Sequence, residues 1–103
     1  MPESSPMPET SQTIREWGDG AFGDVGDLRV LLARARREME ELEEAIIRQD
    51  RAGAGEEAAD VAILLHRLVG ILGLELSEAV DAKMAVNRAR RWHVTGDGTG
   101  VHV

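Results

Sequence analysis

Two pairs of carboxylates stand out by residue type and spacing. Glu38 and Glu41 form E-x-x-E, followed by Leu42, and Glu57 and Asp60 form E-x-x-D, followed by Val61. A helix turns about 100° per residue, so side chains three apart lie one above the other on one face. Each pair then sets two like charges side by side, which costs roughly a few tenths of a kcal/mol. If the two helices pack, four carboxylates meet, and a cation between them removes the repulsion. An all-oxygen donor set suits hard divalent ions, Mg²⁺ first and Mn²⁺ as the alternative. A third segment carries Lys83, Asn87 and Arg90, which is suitable chemistry for phosphate oxygens.

Each feature has a plainer reading. The run Glu38, Glu40, Glu41, Glu43, Glu44 would by itself be a solvated helix face. The repeat at Glu57 and Asp60 changes the balance, because it falls on the most apolar helix of the chain, where charge is costly unless paired or metal-bound. Basic residues near a helix C-terminus also favour the helix dipole without any ligand. Trp17 and Phe22 are two of only three aromatic residues, and read either as anchors of a loop or as a stacking surface for a base. His66 reads as a partly buried structural histidine.

Composition narrows the classes. The chain has 103 residues, one domain's worth, and no Cys, so disulfides, zinc-thiolate sites and thiol nucleophiles are excluded. A net charge of −7 argues against non-specific nucleic-acid binding, although a bound metal would still admit a nucleotide. Met1 to Pro8 lacks the basic start and apolar stretch of a secretory signal. The apolar run from Val61 to Leu76 is broken by His66, Arg67 and Glu75 and is too short to span a bilayer. A cytoplasmic protein without membrane partners is the expectation.

The elements that must position these residues read as helices. Residues 1–9 hold all three prolines and read as a disordered leader, and 10–92 as the helical domain. Thr10 or Ser11 caps a short helix through Trp17, and Gly18, Gly20, Gly23 and Gly26 then break regularity. Asp27 is the expected N-cap of a long helix to about Arg51, with an apolar stripe of Leu28, Leu32, Ala35, Met39, Leu42 and Ile46. Ala52 to Gly55 is expected to end it, and Glu56 or Glu57 to begin the next. That third helix is apolar nearly all round, which in so small a chain implies a subunit interface, and Gly73 is its stop. A last helix is expected from Glu75 or Ser77 to Trp92, followed by a tail over 93–103 with no strand signal.

At these residues the sequence resembles the MazG-type all-α nucleoside triphosphate pyrophosphohydrolases. Their E-x-x-E-L-x-x-A is matched by Glu38, Glu41, Leu42 and Ala45, and their E-x-x-D-V by Glu57, Asp60 and Val61. Gly73, Ala79, Val80, Lys83, Asn87 and Arg90 follow the pattern of their last helix. Short and phage-type members share a Trp and a Phe-Gly before the first acidic helix, like Trp17 and Phe22-Gly23. The resemblance covers about residues 14 to 103. It implies an all-α helical bundle completed by oligomerisation, as a homodimer or homotetramer, and metal-dependent cleavage between the α- and β-phosphates of a nucleoside triphosphate. By the same resemblance Glu38, Glu41, Glu57 and Asp60 hold Mg²⁺ or Mn²⁺, and Glu38 or Glu41 accepts the proton. Lys83, Asn87, Arg90 and Trp17 then hold the substrate. Arg37 departs from the pattern, because many members carry Glu there. The alternatives are a phosphoribosyl-ATP pyrophosphohydrolase, whose A-D-x-x-x-x-x-H stretch is matched by Ala59, Asp60 and His66, and a non-catalytic helical interaction module.

Overall fold

The structure is a computed structural model and describes residues 7–103. The expected leader over residues 1–9 lies mostly outside them. Four helices and a hairpin follow in order: α1 Ser11–Phe22, α2 Arg29–Ile47, α3 Arg51–Ile71, α4 Leu76–Ala89, β1 Trp92–Val94 and β2 Gly100–His102. The all-α class expected from the acidic and apolar spacing is the class observed. Helix α3 is the centre of the fold, packing against α1 and α2 and more lightly against α4. Among the described residues no helix is long and apolar enough to cross a membrane.

Helix α1 begins at a reciprocal cap. The Thr10 hydroxyl accepts the Thr13 N–H at 3.1 Å, and the Thr13 hydroxyl accepts the Thr10 N–H at 2.8 Å. The helix does not stop at Trp17. It runs through Gly18 and Gly20 and ends at Gly23, whose φ is +86°. Gly18 is a close-approach residue, since a Cβ there would overlap the Arg67 side chain. Asp27 lies one residue before the N-cap position of α2, yet its carboxylate accepts the Arg29 N–H at 2.9 Å.

The boundary between α2 and α3 also differs from expectation. Helix α2 ends at Ile47, and Gln49 takes the left-handed region at φ +58°. Asp50 then caps α3 by accepting the Gly53 N–H at 2.9 Å, so Ala52 to Gly55 form the first turn of α3 rather than a break. Two glycines each cost about 1 kcal/mol in a helix interior, and a good N-cap returns about as much as one of them. Packing of α3 along α2 supplies the rest. Gly73, with φ +78°, ends α3 as expected.

The last helix stops at Ala89, three residues before Trp92, and the tail is an antiparallel hairpin with Trp92 opposite His102. The expectation of no strand fails here because the strands are three residues each and exposed, so no buried face imposes alternation. The turn is held by side chains instead. Asp97 accepts from the Thr95 hydroxyl at 2.6 Å and from the Thr99 N–H at 3.0 Å, which lowers its pKa to about 2.

One buried polar junction ties three helices together. The fully buried Ser11 hydroxyl lies 2.8 Å from His66 Nδ1 and 2.9 Å from Glu75 Oε2, and accepts the Leu76 N–H at 2.9 Å. Glu75 Oε1 accepts the Ser11 N–H at 3.0 Å. His66 is thus partly buried and hydrogen-bonded at the start of α1 and α4, where Gly70 lets the Ser11 backbone approach α3. The apolar stripe of α2 is rotated from the expected one. Leu31, Ala35 and Ala45 are buried with Glu38, whereas Met39 is 56 % and Ile46 62 % exposed. Both series obey helical spacing, and the face turned to α3 is the one that carries a carboxylate.

Candidate active site

The site is built where α2 lies against α3. One carboxylate oxygen from each of Glu38, Glu41 and Glu57 falls within 4.8 Å of the other two. Glu38 is only 8 % exposed, Glu57 is half-buried and Glu41 is open to solvent. Glu57 Oε2 is shut off from solvent with no hydrogen-bond partner. Loss of solvation, followed by the neighbouring Glu38 and Glu41 carboxylates, pushes the Glu57 pKa up to about 7. The nearest positive charge is Arg34, whose Nε sits 3.4 Å from Glu38 Oε1 one turn away. Asp60 does not join this trio. It is exposed and lies on the wall of the adjoining cleft, beside Glu38.

That cleft has a volume of about 760 Å³, within the usual range for small-molecule sites. Its apolar wall includes Trp17, Phe22, Val30, Ile63 and Leu64, and its acidic lining is Asp24, Glu38 and Asp60. Trp17 and Phe22 meet edge to face at 5.4 Å and 90°, so both rings of α1 form one surface. Trp17 is 62 % exposed and lines the cleft.

Lys83, Asn87 and Arg90 are on α4 and at its C-cap, and none of them lines this cleft. Among the described residues they make no ion pair to the carboxylates. Asn87 Oδ1 is buried and unpartnered, while the Asn87 carbonyl accepts the Trp92 Nε1–H at 2.8 Å. Within one chain, the acidic and basic halves of the predicted site are separate.

No family model matches the sequence. Over 65 residues the chain is 43 % identical to a dATP/dGTP diphosphohydrolase of Cyanophage S-2L, covering 63 % of this chain and 61 % of that protein. It is 35 % identical over 97 residues to a dATP/dGTP diphosphohydrolase of Salmonella phage PMBT28, covering 92 % of this chain and 31 % of that one. The chain thus spans less than two thirds of the length of these curated relatives. A solved structure, the Cyanophage S-2L MazG-like pyrophosphohydrolase bound to dGDP and three catalytic Mn²⁺ ions per active site, superposes with a TM-score of 0.69 at 31 % identity. That superposition covers 93 % of this chain and 99 % of the solved one.

The chain belongs to the MazG-like pyrophosphohydrolase family.

Arg67, which in the sequence of this MazG-like chain reads only as a break in an apolar run, also lines the cleft. It is 7 % exposed, faces the same cleft, and sits seven residues after Asp60 on one face of α3. Its Nη2 donates to Asp19 Oδ1 at 3.0 Å and to the Gly23 carbonyl at 2.8 Å. The hydrogen bond from Arg67 is the main reason that the Asp19 pKa is lowered. The available signal was the two-turn spacing from Asp60, which only gains meaning once α1 is known to extend past Trp17. Arg37, where many MazG-type chains carry Glu, is exposed on α2.

Proposed function

We propose that this chain is a metal-dependent nucleoside triphosphate pyrophosphohydrolase, hydrolysing the bond between the α- and β-phosphates to give a monophosphate and pyrophosphate. The observation that carries the reading is the trio Glu38, Glu41 and Glu57, with one Glu57 oxygen dry and unpartnered. Three carboxylates held this closely, with a single arginine 3.4 Å from one of them, fit a site for a cation of charge two. Glu38, Glu41 and Glu57 would hold Mg²⁺ or Mn²⁺, with Asp60 completing the set from the cleft wall. Such an ion supplies Lewis-acid charge at phosphate oxygens, several kcal/mol of stabilisation where negative charge builds up.

The remaining work falls to side chains. Glu41, the most open member of the trio, or Glu38 accepts the proton of the attacking water. The exposed Trp17 ring, with Phe22 packed edge to face against it, presents one ring face for a nucleobase. Lys83, Asn87 and Arg90 bind the phosphate chain from a second copy, a reading supported by their absence from the lining of their own chain's cleft. Exposed apolar residues of α3 and α4, such as Leu65, Val80 and Met84, supply the surface for a homodimer or homotetramer. The names of the phage relatives make dATP and dGTP the first substrates to assay.

Pyrophosphate release from a panel of ribo- and deoxyribonucleoside triphosphates, with Mg²⁺ or Mn²⁺ and an EDTA control, tests the reaction. Release that EDTA abolishes is expected, fastest with purine deoxynucleotides. A folded protein that releases nothing from any of them would overturn the reading in favour of phosphoribosyl-ATP or a binding module.

The site also predicts a pH dependence. The folded state holds a proton on Glu57 up to about pH 7, whereas an ordinary glutamate loses it near 4.5. The pKa is raised on folding, so the associated stability is complete below 4.5 and is lost as pH rises through about 7. A divalent ion must displace the same proton. The rise in melting temperature caused by Mn²⁺ should therefore be small near pH 6 and larger near pH 8. A thermal-shift series with and without Mn²⁺ measures it, and a pH-independent rise would remove Glu57 from the metal site.

A further inference from the structure

We infer that Arg67 is a positioning residue that latches the C-terminal end of α1 to α3 and thereby sets the aromatic wall of the cleft for nucleobase binding. This rests on the nucleotide reading above. Three contacts made by one guanidinium converge on the end of α1. Nη2 reaches the Asp19 carboxylate at 3.0 Å and the Gly23 carbonyl at 2.8 Å, and the guanidinium carbon lies 5.9 Å from the Phe22 ring centroid. Phe22 in turn meets Trp17 edge to face. Gly18 completes the arrangement by leaving room for the arginine where a Cβ would overlap it.

The energetics argue for position rather than bulk stability. Arg67 Nε is buried without a partner, and a buried arginine is a costly way to fill space that Leu or Met would fill more cheaply. What the arginine adds is direction. A single nitrogen, Nη2, holds the helix end through both Asp19 and Gly23, carried there on a rigid plane that reaches farther than a lysine ammonium. Two of the three guanidinium nitrogens are turned to α1, since Nη2 donates to Asp19 and Gly23 and Nε faces Gly18. Its effect on substrate is indirect, through Phe22 and Trp17.

Three substitutions perturb the latch in different ways. Arg67→Lys keeps the charge and loses the reach and rigid plane of the guanidinium, Asp19→Asn keeps an acceptor and loses the charge, and Gly18→Ala displaces the guanidinium and changes no charge. Kinetics with dGTP and Mn²⁺ are read beside dGDP titrations of tryptophan fluorescence in a Trp92→Phe background, where Trp17 is the remaining reporter. For Arg67→Lys and Gly18→Ala we expect KM for dGTP and Kd for dGDP to rise about tenfold, with kcat within about threefold of the parent. Circular dichroism checks that each variant is folded, and Gly18→Ala decides the matter should Arg67→Lys fail to fold. A lowered melting temperature with KM and Kd unchanged would make the latch merely structural and overturn the inference. A parent protein that neither binds dGDP nor cleaves any nucleotide would overturn the nucleotide reading itself, and this inference with it.

Discussion

Glu57→Gln is expected to abolish metal-dependent turnover and, at the same time, to raise the melting temperature of the metal-free protein. The two effects have one cause. Glu57 stands within 4.8 Å of two other carboxylates and keeps one oxygen in a dry, unpartnered setting. In the metal-free protein its ionised form is unfavourable, which is why its pKa is pushed to about 7. A neutral amide of the same shape removes the repulsion and offers N–H donors to Glu38 and Glu41. A rise of a few degrees is the expected scale for a domain of this size. Activity moves the other way, because removing one anionic donor weakens the hold on a cation that stabilises the transition state by several kcal/mol. A fall of about 10³-fold or more in kcat/KM corresponds to roughly 4 kcal/mol. Differential scanning fluorimetry without metal and pyrophosphate release with Mn²⁺ measure the pair of effects. Loss of stability together with retained activity would mean that the glutamates are a solvated face.

Two inactive variants, Glu57→Gln and Lys83→Ala, should regain activity when unfolded together and refolded as a mixture. The prediction follows from the separation of the two halves of the site. The acids are gathered by α2 and α3, while Lys83 and Asn87 on α4 do not line the cleft of their own chain. In a two-fold dimer whose sites are shared between copies, a mixed pair restores one intact site and concentrates both lesions in the other. Random pairing makes half the dimers mixed, so recovery of about a quarter of wild-type activity is expected. Sites complete within one chain would give no recovery, and would require α4 to move onto the cleft on binding substrate. Light scattering on the same samples reports whether the copies associate.

The helical class and the chemistry of the acids were legible in the sequence because both rest on local regularities. Two carboxylates three apart share a helix face whatever the rest of the chain does. Caps at Thr10 and Glu75 and the stop at Gly73 are also local. The extent of α1 was not local. Gly18 and Gly20 look like breaks until Arg67, forty-nine residues beyond Gly18, is seen to occupy the space that Gly18 leaves. In the same way Asp50, by capping Gly53, turned an expected break into the first turn of α3.

The sequence by itself determined that acids, a basic helix and aromatic residues were available, and on which helices the acids would stand. Only the tertiary structure decided which of them meet. Two three-four series run along α2, and spacing alone does not choose between them. Packing against α3 chose the series that buries Glu38 and leaves Met39 and Ile46 exposed. That choice drew Glu41 and Glu57 into the trio, left Asp60 on the cleft wall, and placed Arg67 behind the aromatic wall. The physical reason is that a helix fixes neighbours within a few turns, whereas a site is assembled by faces that meet only when helices far apart in sequence pack together.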